Sequence, residues 1–405
     1  MKKLITLIVA AIMAVACCFG LTACGGISKD DLKVGLICLH DETSTYDKNF
    51  IDAFKAACSE KGIKTENVFV RTGIGEDDAC YNTAAELADL GCNLIFADSF
   101  GHEPYIIKAA KEFKDVQFCH ATGVKAHTEG VKNYHNAFAS IYEGRYLAGY
   151  AAGLKLNTMQ DKAVNNNFKV GYVGAFPYAE VKSGYTSWFL GLQAALDTGY
   201  TATMDVTFTR SWYDFEGEKT AANTLISRGC VLISQHADSM GAPQACETAN
   251  VPNVSYNGST ATACPNTFIV SSRIDWAPYY KYCIDCMIDG KTIKTDYTGT
   301  LGSTLSNGSV CLTDLGTAAA EGSLTKIEAV AAKLRDGSLK VFDCSKFTVN
   351  GENITTYKAD VDDDGTFTGE TEVIKKDGDV TYFAESEFRS APYFDIDIDG
   401  ITILE

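Results

Sequence analysis

Two tetrapeptides, Asp98-Ser99-Phe100-Gly101 and Asp238-Ser239-Met240-Gly241, stand 140 residues apart, each after a short apolar run and before a helical pattern. A carboxylate accepts hydrogen bonds and a hydroxyl both donates and accepts. Aromatic and acidic residues gather at the other expected strand ends as well: Tyr46-Asp47 after the first strand, Phe176-Pro177-Tyr178 after Val173, Ser211-Trp212-Tyr213 after Phe208, and Asp275-Trp276 at the last expected crossing of the chain. Flat rings beside carboxylates suit the non-covalent capture of a flat, hydrogen-bond-rich molecule, because stacking a base on an aromatic side chain contributes about 1–3 kcal/mol. Each residue alone has a plainer use. Asp and Ser cap helices, and one aromatic at one strand end ordinarily packs in a core or hinge; several at successive ends carry the binding reading. The candidate ligand-binding residues are therefore Tyr46, Asp47, Ser99, Phe100, Phe176, Trp212, Asp238, Asp275 and Trp276.

Other chemistries find less support. His236 beside Asp238 is a hint of acid–base work, but no G-x-S-x-G, H-E-x-x-H or Walker-type phosphate loop occurs, so neither catalysis nor a cofactor is expected. Asp360-x-Asp362-x-Asp364-Gly365 reproduces the first half of a calcium loop, yet its twelfth position is Thr371 rather than Glu. A solvated acidic turn is the expectation there, with calcium as the alternative. Cys283-x-x-Cys286 has neither a second pair nor a nearby His at zinc spacing, and its helical flanks favour core filling over a disulfide or a metal, so no metal site is expected.

The elements that must position these residues are written twice. Thr83-Ala84-Ala85 recurs as Thr220-Ala221-Ala222, Gly91-Cys92 as Gly229-Cys230, and Lys33-Val34-Gly35 as Lys169-Val170-Gly171. An echo of this length means two similar halves rather than a short-repeat solenoid. Apolar runs alternate with helical patterns: 32–39 then 49–60, 68–71 then 80–90, 94–97 then 105–113, with 116–121 closing the first series; 170–173, 206–208 and 231–234 are the strands of the second. This alternation predicts an α/β fold of two doubly wound parallel-sheet lobes, a central cleft and several hinge crossovers. In such sheets the ligand crevice lies outside the carboxyl ends of the strands.

Met1-Lys2-Lys3 precedes an uncharged apolar run, Leu4 to Leu21, and Leu21-Thr22-Ala23-Cys24 has small residues before a cysteine. The expected arrangement is a signal peptide at 1–23 and a lipidated tether at 24–32 beginning at Cys24, with a retained helix or a cleaved soluble product as alternatives. One lobe would comprise 33–140 plus about 273–310 and the other 141–272 plus about 311–405. Loss of residues 1–23 would take the net charge from −17 to −19. That acidity argues against nucleic acid as a partner, since such binding draws on basic patches.

Taken together these stretches resemble the basic membrane protein (BMP) family of ABC-transporter substrate-binding lipoproteins, within the type I periplasmic binding proteins. The resemblance rests on the lipobox-like Leu21 to Cys24, Thr45-Tyr46-Asp47, Ala97 to Gly101, His120-Ala121-Thr122-Gly123, Gly144-Arg145-Tyr146-Leu147-Ala148-Gly149, Ala175-Phe176-Pro177 with Glu180-Val181, Ser211-Trp212, Gln235 to Ser239, and Asp275 to Tyr280. It implies a purine nucleoside or purine base as ligand, an ABC permease as membrane partner, and a lipid anchor on the outer face of the cell membrane. It also implies Phe100, Phe176 and Trp212 as ring-enclosing residues and Tyr46, Asp47, Asp238 and Asp275 as hydrogen-bonding ones. Members that bind nucleosides often carry Asp-Lys-Ser-Phe-Asn in the first loop, where this chain has Asp47-Lys48-Asn49-Phe50-Ile51. A free base therefore stays open, as do a sugar or amino acid derivative and a surface interaction or signalling role.

Overall fold

A computed structural model describes residues 26–361 and 371–404. The leader, Cys24, and Asp362, Asp364 and Gly365 of the acidic turn lie outside the described residues. Strands β1 (Val34–Ile37), β2 (Val68–Arg71), β3 (Leu94–Ala97), β4 (Gln117–Ala121) and β5 (Tyr134–Ala139) run parallel in one sheet. The second half repeats the pattern with β6 (Asn167–Gly174), β7 (Thr201–Phe208), β8 (Ile233–His236), β9 (Asn253–Tyr256) and β10 (Phe268–Ile274). β11 (Asp296–Gly299) returns to the edge of the first sheet, whereas β12 (Val310–Leu312) lies antiparallel to β10 in the second. Two small antiparallel pairs follow, β13 (Lys358–Ala359) with β14 (Thr371–Glu372) and β15 (Ile374–Asp377) with β16 (Val380–Phe383). β17 (Ile401–Ile403) ends the described chain beside β7.

The strand orders are β2-β1-β3-β4-β5-β11 and β12-β10-β9-β8-β6-β7-β17. Read from β7 inward the second sheet repeats the order of the first, the doubly wound 2-1-3-4-5 arrangement. The sequence echo is thus a structural one: Gly91 and Gly229 both turn the chain with φ near +90° (86° and 91°), a conformation that favours glycine. Between the sheets the chain passes along the helix Ile141–Asn157, then through the helix Ala277–Asp289, which packs on the helix Thr45–Lys61, and finally from Gly299 to Val310.

Val34 to Ile37 and Leu94 to Ala97 are buried along their whole length, as expected of parallel strands covered on both faces. Leu36, Phe54, Phe96 and Tyr280 form the core on one face of the first sheet, and Ile37, Leu87, Ile95 and Phe118 that on the other. In the second sheet Tyr172, Trp188 and Met204 occupy one face, Val173, Leu225 and Ile233 the opposite one. Apolar periodicity misses β5 and β9 because both are rich in polar residues. Key polar side chains there are buried and paired with distant residues: His135 sits 2.8 Å from Gln117 Oε1, and Asn253 donates to the Ile233 carbonyl at 3.1 Å and to Gln235 Oε1 at 3.0 Å.

Helix ends follow local chemistry. Ser44 accepts from the Asp47 amide to start Thr45–Lys61, and Gly62 ends it at φ 73°. The crossing helix Ile141–Asn157 lies unusually close to Ala179–Ala195. A Cβ on Gly149 would fall 1.8 Å from the Trp188 carbonyl oxygen, and one on Gly191 2.0 Å from that of Tyr146. Beyond residue 339, Phe342, Phe347, Tyr393, Phe394 and Ile396 enter the core of the second sheet, with Phe342 stacked on Phe394 at 4.3 Å. All twelve described cysteines are free and buried, Cys283 and Cys286 among the apolar residues of the helix Ala277–Asp289.

Candidate functional site

Loops leaving the carboxyl ends of strands from both sheets enclose a narrow inner chamber of about 360 Å³, counted with the space open to solvent. β1 leads into Leu39, His40, Tyr46 and Asp47, β3 into Ser99 and Phe100, and β4 into Thr122; the facing wall comes from Glu180 after β6, Trp212 after β7, and His236 with Asp238 at the end of β8. This is the crevice position that a doubly wound sheet provides. Thr122 and Arg210, each just past a strand, hold φ values of 66° and 63°. Such left-handed backbone is costly for non-glycine residues and collects at functional loops.

Aromatic rings run across the cleft. Phe100 of the first lobe stacks on Tyr178 of the second with centroids 5.3 Å apart and planes 29° from parallel. Tyr178 stacks in turn on Phe176 at 5.1 Å, and Phe176 meets Trp212 edge-on at 5.2 Å. Phe100 and Tyr178 nevertheless stay 40% and about two-fifths exposed, at the mouth rather than in a core. The lobes also touch by backbone: the Thr45 amide donates to the Asp238 carbonyl at 3.0 Å.

Behind the rings the wall is rich in acceptors. Asp47 is buried; its carboxylate accepts from the His40 amide at 2.8 Å and from Ser44 Oγ at 2.6 Å, bonds that hold it below the usual carboxylate range despite burial. Asp98 and Asp238 are pushed well up by burial and by the neighbouring Asp47 charge, so both favour the protonated form. His236 Nε2 lies 3.2 Å from Glu180 Oε1, and burial together with the Arg145 charge lowers its pKa to about 4, leaving a neutral ring at neutral pH. Arg145, from the crossing helix, lies beneath this floor with its guanidinium carbon 3.2 Å from the Tyr256 ring centroid and Nη1 donating to the Gln235 carbonyl at 3.1 Å. Ligand atoms of Cys38, Asp47 and Asp98 fall within 4.8 Å of one another. Burial raises both the Cys38 thiol and the Asp98 carboxyl, so this trio could take a cation only by shedding protons that its surroundings retain.

Six of the nine residues expected from the sequence, Tyr46, Asp47, Ser99, Phe100, Trp212 and Asp238, line the inner chamber. Some of their polar groups are already engaged: Tyr46 donates to the Asp98 carbonyl at 2.7 Å, and Ser99 Oγ to Glu76 at 2.5 Å. Phe176 stands in the aromatic row behind Tyr178. Asp275 and Trp276 stand elsewhere. Trp276 is buried in the first lobe, stacked on Phe50 at 4.4 Å, and Asp275 faces Arg273 at 3.6 Å while accepting from the Ala277 amide. His40, Thr122, Glu180 and His236 line the chamber without having been singled out for it; the strand-end rule applied to polar as well as aromatic residues would have found the two beside β1 and β4, His40 and Thr122.

Twin doubly wound lobes, three crossings and a cleft at the strand ends define a two-lobed solute-binding fold. The sequence profile of the PnrA-like ABC transporter substrate-binding proteins (Bmp) matches residues 39–329, and the chain belongs to this family of extracytoplasmic solute-binding proteins. A purine-binding protein of Brucella abortus is 31% identical over 266 residues, 65% of this chain and 71% of its own length. A putative ABC transporter glucose-binding protein of Haloferax volcanii is also 31% identical, over 198 residues, so this chain spans 46% of that relative and the match takes in 49% of this chain. Among solved structures, an ABC-transporter solute-binding protein from Conexibacter woesei shares the fold at TM-score 0.59 and 21% identity, over 76% of this chain and 98% of that one. Another from Aeropyrum pernix shares it at TM-score 0.60 and 15% identity, over 79% and 94%. No helix among the described residues is long and apolar enough to cross a membrane.

Proposed function

We propose that this protein captures a purine nucleoside or purine base between its lobes and hands it to an ABC permease driven by a separate ATPase, without itself performing chemistry. The observation that carries the reading is the row Phe100, Tyr178, Phe176 and Trp212 set beside the acceptors Glu180 and His236 and the protonated Asp238 carboxyl. Rings stack on a flat base of any sequence, and the acceptors suit its amino groups or ribose hydroxyls. The Brucella relative named for purine binding supports the same choice. Within the site Tyr46, Asp47, Ser99, Phe100, Trp212 and Asp238 are the proposed ligand-facing set, with Phe176 backing Tyr178 in the aromatic row and Asp275 and Trp276 outside the chamber. Ligand that touches both lobes only when they are shut favours the shut state by its differential affinity, and a micromolar receptor needs about −8 kcal/mol net.

A sugar is the second reading, favoured by the Haloferax relative named for glucose. Titration calorimetry of adenosine, guanosine, adenine, guanine, D-ribose and D-glucose against the purified protein separates the two. Saturable heat with purines supports the first; a response to sugars alone rejects it. Lipidation of Cys24 is part of the proposal, with two acyl chains giving stable attachment to the outer face of the cell membrane. Cys24→Ser should move the protein from the membrane fraction to the soluble one, and an unchanged distribution would reject the anchor.

A further inference from the structure

The inner chamber continues outward. Phe100, Thr122 and Glu180 line it and also line a second, outer chamber of about 830 Å³, again counted with open space, whose remaining wall includes Arg389, Ala391, Pro392, Tyr393 and Asp395. Those tail residues lie some 60 positions beyond the end of the family match at residue 329. The tail is held from both sides. Tyr393 and Phe394 are buried in the second-lobe core, and Lys182 donates to the Asp395 carbonyl at 3.1 Å; the Ser390 amide donates across to Asp296 Oδ2 on β11 of the first sheet at 2.8 Å. The segment therefore sits at the cleft mouth by construction, not as a loose end.

We propose that Arg389–Asp395 forms part of the ligand site, walling an outer chamber that receives an uncharged, hydroxyl-bearing group attached to the ring held further in. This rests on the reading that a flat ring occupies the inner chamber. The chemistry of the wall selects the group. Its carboxylates, Glu180, Asp360 and Asp395, are hydrogen-bond acceptors, whereas the Arg389 guanidinium donates to the carbonyls of Ala391 and Pro392 at 3.1 Å each. Hydroxyls can donate to such acceptors, while a phosphate would meet like charge. Phe100, Tyr178 and Ala391 supply the apolar remainder of the wall, as in most small-molecule sites. Family resemblance gives no reason to place a contact here, since the tail lies outside the matched region.

Titration calorimetry with adenine, adenosine and D-ribose tests this on the wild type, on Asp395→Asn and on Ala391→Leu. The asparagine keeps an acceptor for the Tyr357 hydroxyl, which donates to Asp395 at 2.6 Å, so the fold is preserved even where the leucine variant is not. The expected result is a loss of about tenfold in adenosine affinity in Asp395→Asn with adenine unchanged, the effect of one weakened charge-assisted hydrogen bond. Equal affinity of the wild type for adenine and adenosine, or equal loss of both in the variant, overturns the outer chamber and leaves the purine reading intact. Binding of D-ribose without adenine, weakened in Asp395→Asn, removes the purine reading and sustains the chamber. Binding of none of the three overturns both.

Discussion

Phe100 and Tyr178 lie face to face across the cleft, one from each lobe, with ring centroids 5.3 Å apart. Because they belong to loops of different sheets, this stack bridges the two lobes at the cleft mouth. Removing one ring takes away an aromatic pair worth about 0.5–1.5 kcal/mol beyond area burial. Phe100→Ala is accordingly expected to weaken ligand binding by about 2- to 10-fold while leaving the melting temperature nearly unchanged, because Phe100 is 40% exposed. Trp212→Ala should likewise weaken binding far more than it destabilises the fold. Calorimetry and thermal melts on the same samples check both; unchanged affinity would remove that ring from the site.

The crossing helix has no room for a side chain where it meets Ala179–Ala195. Gly149→Ala would place a methyl group 1.8 Å from the Trp188 carbonyl oxygen, a contact that backbone must move to relieve. Overpacking of this kind costs about 1–3 kcal/mol or more. Urea denaturation of Gly149→Ala should show the loss, and a midpoint equal to the wild type would mean the helices are further apart than described.

Glu385 is buried in the second-lobe tail, and burial pushes its pKa from 4.5 up to about 7. Folded Glu385 therefore holds its proton more tightly than the unfolded chain does. The stability it contributes is fully present below pH 4.5 and is lost as pH rises towards and through about 7. Glu385→Gln should be more stable than wild type at pH 8, by up to about 3 kcal/mol, with the gap closing at pH 5. Urea midpoints at the two pH values decide; a gap that grows on acidification would reverse the sign and reject the assignment.

Buried His236 works in the opposite sense. Its pKa falls from 6.5 to about 4, so its contribution is present above 6.5 and is lost as pH drops towards 4. His236→Asn should flatten the acid limb of the stability profile between pH 6.5 and 4, measured by the same denaturation series. A wild-type-like acid limb in the variant would show that another group sets it.

The twelve thiols of the described residues are free and buried, and burial raises those of Cys38, Cys80, Cys246 and Cys283 well above their ordinary value. Thiolate is the reactive form. Native protein should react slowly with a thiol reagent at pH 7.5 and rapidly once unfolded, and reductant should leave the melting temperature unchanged. Fast labelling of the native state would contradict the burial.

Much of the fold was legible. The repeated Gly91-Cys92 and Gly229-Cys230, and the continuous apolar runs at β1 and β3, are local signals, because a parallel strand covered on both faces must be apolar along its whole length. β5 and β9 were not legible, since His135 and Asn253 are buried by virtue of partners far away in sequence. The site divides in the same way. Strand-end position pointed to Phe100, Trp212 and Asp238, which line the inner chamber, whereas Trp276 packs on Phe50 and Asp275 faces Arg273 outside that chamber.

The amino-acid sequence by itself determined that two α/β units would form and that aromatic and acidic side chains would leave the ends of their strands, because hydrophobic period, caps and turns act over a few residues. Only the tertiary structure decided which of those side chains meet. Phe100 finds Tyr178 from 78 residues away, Glu180 finds His236, and the tail from Arg389 to Asp395 comes to the cleft mouth from beyond the family domain. Such meetings depend on how two sheets and three crossings are packed in space, and no short-range pattern carries that information.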